Sequence, residues 1–201
     1  MRKAIAHLRK ADPVLATIIK QVGPYRMEYR DPEFGSLVRS IAYQQLSTKV
    51  AGVILGRLLD ALPGRELTPA SILALTCEEM RAFGLSGAKT KYIRDLAERT
   101  LAGHVIFDNL ISRSDDEVIE HLTQVKGIGV WTAHMFLIFA LQRPNILPTG
   151  DLGVRAAIKK AYGLEALPTP LEVSEIAANW HPYCSVASWY LWRSLDGSAQ
   201  I

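Results

Sequence analysis

Cysteine is almost missing from the chain. Cys77 and Cys184 are the two in 201 residues, far apart and with no C-x-x-C spacing around either. That removes a disulfide framework and leaves structural zinc and iron–sulfur sites without ligands. His7, His104, His121, His134 and His181 form no spaced set, so surface or structural roles suit them and no metal is expected. Long apolar runs are missing as well. The longest uncharged one, Val130 to Gln142, is too short to span a bilayer, and the opening MRKAIAHLRKADP never builds the apolar segment of a signal peptide. No membrane partner is expected, and an intracellular location follows. No stretch alternates apolar and polar residues as a half-buried strand would, and no low-complexity linker divides the chain.

What is present is the composition of a globular protein, with 49% hydrophobic and 21% charged residues. The formal net charge of +3 permits a nucleic-acid partner without requiring one. Because the basic residues are spread along the chain, an anion-binding face has to be assembled by folding. Helix punctuation recurs from end to end, and the predicted fold is all-α. Asp12-Pro13 and Asp31-Pro32 put a cap residue before a helix-starting proline. Phe34, Leu37, Val38 and Ile41 make a helical stripe ending at Tyr43-Gln44-Gln45. A further helix runs from about Ser47 to Pro63-Gly64, and Thr68-Pro69 starts a short one. Thr76 with Glu79, Ser114 with Glu117 and Thr169 with Glu172 have capping-box spacing. Ser86 to Ala102 reads as a longer helix with Tyr92, Ile93, Leu96 and Leu101 on its apolar side, and the last helix covers about Ser185 to Leu195.

Two features carry chemistry. Val125-Lys126-Gly127-Ile128-Gly129 sits between two helical patterns, and glycines two apart allow positive φ and leave backbone N–H groups uncovered. A helix, a tight turn and a second helix direct that helix's first amides and positive dipole end outward, where one phosphate fits. Lys126 and Thr132 can add side-chain contacts. The plainer alternative is that Gly127 is a helix C-cap and Gly129 avoids a clash. Pro148-Thr149-Gly150-Asp151 then ends a turn where another helix begins, so Asp151 is a helix N-cap, a poised carboxylate, or both. Phe83 to Lys89 echoes the hairpin with glycines three apart; it reads as a helix–helix turn whose Lys89 is within reach of a phosphate.

The run Leu122-x-x-Val125-Lys126-Gly127-Ile128-Gly129-x-Trp131-Thr132-Ala133, with Pro148-x-x-Asp151 about twenty residues on, resembles the helix-hairpin-helix DNA glycosylase superfamily. Ile41-x-x-Gln44-Gln45-Leu46-Ser47, Gly84-Leu85-Ser86-x-x-Lys89 and Trp180-x-Pro182 extend the likeness over about residues 30 to 195, and the branch it resembles is 3-methyladenine DNA glycosylase II. The resemblance implies two helical lobes, about 38–144 with the hairpin and about 1–37 plus 145–201, with a DNA-binding cleft between them. It implies a monomer acting on double-stranded DNA with a damaged base, in the cytoplasm beside a bacterial nucleoid or in a eukaryotic nucleus. Asp151 is the implied catalytic carboxylate. Trp131, Met135, Leu152 and Trp192 are the implied walls of the base pocket. Lys126, Gly127, Gly129, Thr132, Gln44, Gln45 and Lys89 are the implied DNA contacts, with Gln45 first choice to fill the gap left by a flipped base.

The lyase branch carries a lysine nucleophile just after the hairpin, where this chain has Trp131, so a monofunctional glycosylase without a cofactor is expected. A monovalent cation at the hairpin carbonyls is the one ion the resemblance allows. Met135 stands where the related bacterial type has an aromatic residue, a departure that bears on the breadth of base recognition. The rival readings are a glycosylase/lyase for oxidised bases, a non-catalytic hairpin module that binds DNA, and an all-α protein-interaction domain.

Overall fold

In a computed structural model of the protein the described residues are 1–196, and among them helix is the only regular structure. In chain order the α-helices are α1 (Arg2–Ala11), α2 (Pro13–Val22), α3 (Phe34–Tyr43), α4 (Thr48–Asp60), α5 (Pro69–Ala74), α6 (Cys77–Ala82), α7 (Gly87–Leu101), α8 (Asp115–Thr123), α9 (Val130–Phe139), α10 (Leu152–Tyr162), α11 (Pro170–Ile176) and α12 (Cys184–Asp196). Tight 3-10 turns occur at Pro63–Arg65, Leu110–Ser112 and Ala177–Trp180. No helix of the described chain is long and apolar enough to cross a membrane.

The helix starts follow their cap residues. Asp12 accepts from the Val14 and Leu15 amides, and the boxes at Thr76–Glu79, Ser114–Glu117 and Thr169–Glu172 close in both directions. In each box the threonine or serine donates its amide and hydroxyl to the glutamate, which holds that carboxyl below its ordinary range. One helix was not anticipated and one expectation needs correction. The charged N-terminus forms a helix, α1, because Ala4 and Leu8 fall on one side and bury there. Leu101, read as an apolar-side residue of α7, is 61% exposed, since it lies in the last turn beyond the reach of the packing below.

The chain divides into two compact units, residues 30–141 and residues 1–29 with the described residues from 142 onward. In the central unit, Leu37, Ile41, Leu58, Ile72, Ile93, Leu96, Leu122 and Phe136 are buried, and α7 lies against α3, α5 and α6 while α9 lies against α3 and α8. In the unit made from both termini, Leu8, Leu15, Ile19, Ile158, Trp180 and Tyr190 form the core around buried Asp12. Asp12 also accepts from the Trp180 indole at 2.8 Å and from the Tyr162 hydroxyl, so its buried charge is met by four donors. Ser185 fastens the segment that leads to α10: its amide bonds Pro144 O at 3.0 Å, its hydroxyl bonds Arg143 O at 2.6 Å, and the Ile146 amide bonds its oxygen at 2.9 Å.

Candidate active site and nucleic-acid interface

The hairpin joins α8 to α9. The Val125 amide bonds Leu122 O and the Ile128 amide bonds Val125 O, which folds residues 122–128 into a tight turn. Gly127 has φ +82°, a left-handed conformation that a side chain disfavours, and a methyl group there would lie 2.1 Å from the Tyr92 ring. Gly129 differs: its backbone is extended (φ −95°, ψ 176°), it stands at the N-cap of α9, and a methyl group on it would meet nothing within 4 Å. Clash avoidance within the chain therefore explains Gly127 and does not explain Gly129. Gly129 offers no side-chain acceptor to the first amides of α9, whereas the start of α8 is closed by the Ser114–Glu117 box. Lys126 is exposed beside them.

Four side chains hold this turn from below. Gln44, which ends α3, donates its amide to Gly127 O at 3.0 Å and to the Thr132 hydroxyl at 3.1 Å. Lys89, near the start of α7, donates its ammonium to Ala42 O at 2.8 Å and Gln44 O at 2.7 Å, and partial burial lowers its pKa. One turn further along α7 the Tyr92 ring covers Gly127, and Asp95 accepts the Lys126 amide at 3.0 Å while paired with Arg99 at 2.9 Å. Gln45 follows Gln44 with φ +56°, an uncommon conformation for a residue with a Cβ, and its side chain is exposed. Such strain is characteristic of positions kept for function.

Asp151 belongs to the other unit. It is the N-cap of α10, and only 8% of it is exposed. Its Oδ1 accepts from the Val154 amide at 2.8 Å and from the Trp192 indole N–H at 2.8 Å. Its own amide bonds Pro148 O at 2.9 Å, so the Pro148–Asp151 turn enters the helix along a fixed path. Two donors on one oxygen, with a helix dipole behind, fix the orientation of a negative charge at this helix start.

The sequence-derived residues thus separate by unit. Gln44, Gln45, Lys89, Lys126, Gly127, Gly129, Trp131, Thr132 and Met135 lie in the central unit, Asp151, Leu152 and Trp192 in the other. Trp131 is 37% exposed and Leu152 64%, while Met135 is buried at 8%. Lys89 and Thr132 were read as direct DNA contacts. The structure instead turns the Lys89 ammonium onto the carbonyls that end α3, and it buries Thr132 to 2% as Gln44's partner. Both support the hairpin. Trp189 is core at 4% exposure, tilted against Tyr25 with ring centroids 4.6 Å apart.

Sequence reading missed Tyr92, Asp95 and Gly153. Tyr92 passes for an ordinary apolar-stripe residue and Asp95 for a solvated one. Gly153 left a signal, a glycine inside the first turn of a helix, where it is a poor helix former.

Residues 38–182 match the HhH-GPD superfamily of base excision DNA repair proteins, and the chain belongs to that family. Among its relatives is DNA-3-methyladenine glycosylase 1 of Schizosaccharomyces pombe, 37% identical over 96% of this chain and 87% of that protein. A solved structure of the 3-methyladenine DNA glycosylase from the same yeast, in complex with abasic DNA, superposes with a TM-score of 0.90 at 35% identity, covering 96% of this chain and 97% of the other. The DNA-3-methyladenine glycosidase of Bacillus halodurans superposes at 0.81 with 34% identity, covering 98% of this chain and 91% of the other.

Proposed function

We propose that the protein is a monofunctional DNA glycosylase that removes alkylated purines of the 3-methyladenine type from double-stranded DNA, leaving an abasic site for base excision repair. The observation that carries this reading is Asp151: a carboxylate capping α10, held through Oδ1 by Val154 and Trp192, in a member of this family. Breaking the N-glycosidic bond builds positive charge on the sugar, which an adjacent carboxylate stabilises. Water oriented by Asp151 then adds to the sugar and passes its proton to that carboxylate. A 3-methyladenine base is cationic in the nucleotide and leaves neutral, so no second acid is needed. The first amides of α9, behind Gly129, would take a backbone phosphate, a contact that fixes register without reading sequence. Gln45 would fill the gap left by the extruded nucleotide.

Trp131, Trp192, Met135 and Leu152 are the base-facing residues of this reading; an indole favours a cationic base by about 0.5 to 2 kcal/mol. Trp131 in place of a lysine removes the amine that lyase chemistry requires. The turn carbonyls, one of them already bonded to Gln44, suit a monovalent cation in kind, as neutral oxygen ligands. The protein would act as a monomer wherever the cell keeps its DNA, in the cytoplasm or the nucleus.

The test is single-turnover base release from DNA carrying 3-methyladenine, 7-methylguanine, hypoxanthine or ethenoadenine. Wild type should release at least one of these bases, and borohydride should trap no enzyme–DNA adduct. Asp151→Asn keeps a good N-cap, so its stability should hold while release falls about 100-fold or more. Release by the mutant at the wild-type rate sinks the mechanism, and no release of any of the four by wild type sinks the substrate class.

A further inference from the structure

Gly153 stands two residues after Asp151, inside the first turn of α10, and it has none of the positive φ that would demand glycine. Its place against the side chains accounts for it. A methyl group on Gly153 would lie 2.9 Å from Trp192 Cδ1, 3.1 Å from Asp151 Oδ1 and 3.2 Å from Trp192 Nε1. Those neighbours include both ends of the hydrogen bond in which the Trp192 indole donates to Asp151 at 2.8 Å. The first distance is shorter than carbon–carbon contacts allow, and the atom met is in a rigid ring, so the indole itself would have to move.

We propose that Gly153 is a positioning residue: its missing side chain is the space through which the pyrrole edge of Trp192 reaches Asp151, setting both the carboxylate's orientation and the depth of the indole wall. This rests on the glycosylase reading for its functional consequence, though not for its geometry. The Val154 amide holds Asp151 Oδ1 from the helix side, and the indole N–H adds a second donor to the same oxygen from the side of α12. Alanine is the better helix former, so natural use of glycine here runs against local stability.

The test compares Gly153→Ala in two backgrounds, wild type and Trp192→Ala, which carries no ring to meet the methyl group. In the wild-type background the saturating single-turnover rate should fall roughly 10- to 100-fold, with affinity for abasic DNA unchanged. The Trp192 indole N–H resonance, assigned by its loss in Trp192→Ala, should shift. In the Trp192→Ala background the same substitution should change the rate less than about twofold. An unmoved indole resonance overturns the proposal, and so does an equal loss in both backgrounds. Absence of base release by wild type would count against the functional reading alone, because the resonance still reports whether Gly153 places the indole.

Discussion

Each of the two units holds one helix start that carries candidate residues, and the two starts are finished in opposite ways. α9 begins at Gly129, which has no side chain to accept from the helix's first amides, and among the described residues there is no steric reason for the missing side chain. α10 begins at Asp151, whose carboxylate covers the same kind of amides and accepts an indole N–H as well. A bare start offers a positive end to an outside anion, whereas a capped one displays a fixed negative charge toward a developing cation. On the proposed reading one local motif would serve for grip and for chemistry, with the cap residue deciding which.

Several substitutions can break this contrast. Gly127→Ala should have the largest structural effect, because it strains a left-handed position and drives a methyl group into the Tyr92 ring; a loss of about 2 to 4 kcal/mol is expected in urea unfolding. Gln44→Ala removes two hydrogen bonds, one to the buried Thr132 hydroxyl, and should cost about 1 to 2 kcal/mol. Its neighbour should respond in the opposite sense: Gln45→Gly relieves a positive φ and should leave stability equal or higher while lowering base release from duplex DNA. Equal stability losses at both glutamines would show that neither was assigned correctly.

Gly129→Ala sharpens the comparison most cleanly. No described residue opposes its methyl group, so unfolding should change by less than about 1 kcal/mol, while affinity for duplex DNA drops about tenfold. The smallest effect concerns α1, where Arg2, Lys3, Arg9 and Lys10 together exceed the chain's formal excess of +3. Replacing all four by glutamine turns the net charge negative; association with DNA at low salt should slow by a few-fold, with the base-release step untouched.

Much of this was legible in the residues. Capping boxes announce themselves because the cap and its N3 partner are close in sequence, and the three expected ones close as read. α1 was missed because its many charges mask a stripe as short as Ala4 and Leu8. Gly127 and Asp151 could be picked out from local spacing, but the grounds for reading Lys89 as a phosphate contact were also local, and they gave no hint of where its ammonium is held. Its ammonium goes to carbonyls 45 and 47 residues away, a pairing that only folding creates. Tyr92 on Gly127 and Trp192 on Asp151 are long-range in the same way. Sequence spacing locates helix ends; what packs against them is decided by tertiary structure.

The division of labour is tested most directly by measuring two quantities, affinity for abasic DNA and saturating single-turnover base release, in Asp151→Asn and Gly129→Ala side by side. The expected result is a crossing: Asp151→Asn binds undiminished and loses about 100-fold or more in release, while Gly129→Ala loses binding and, at saturation, releases base at the wild-type rate. Parallel losses of both quantities in either variant would contradict the assignment of grip to one helix start and chemistry to the other.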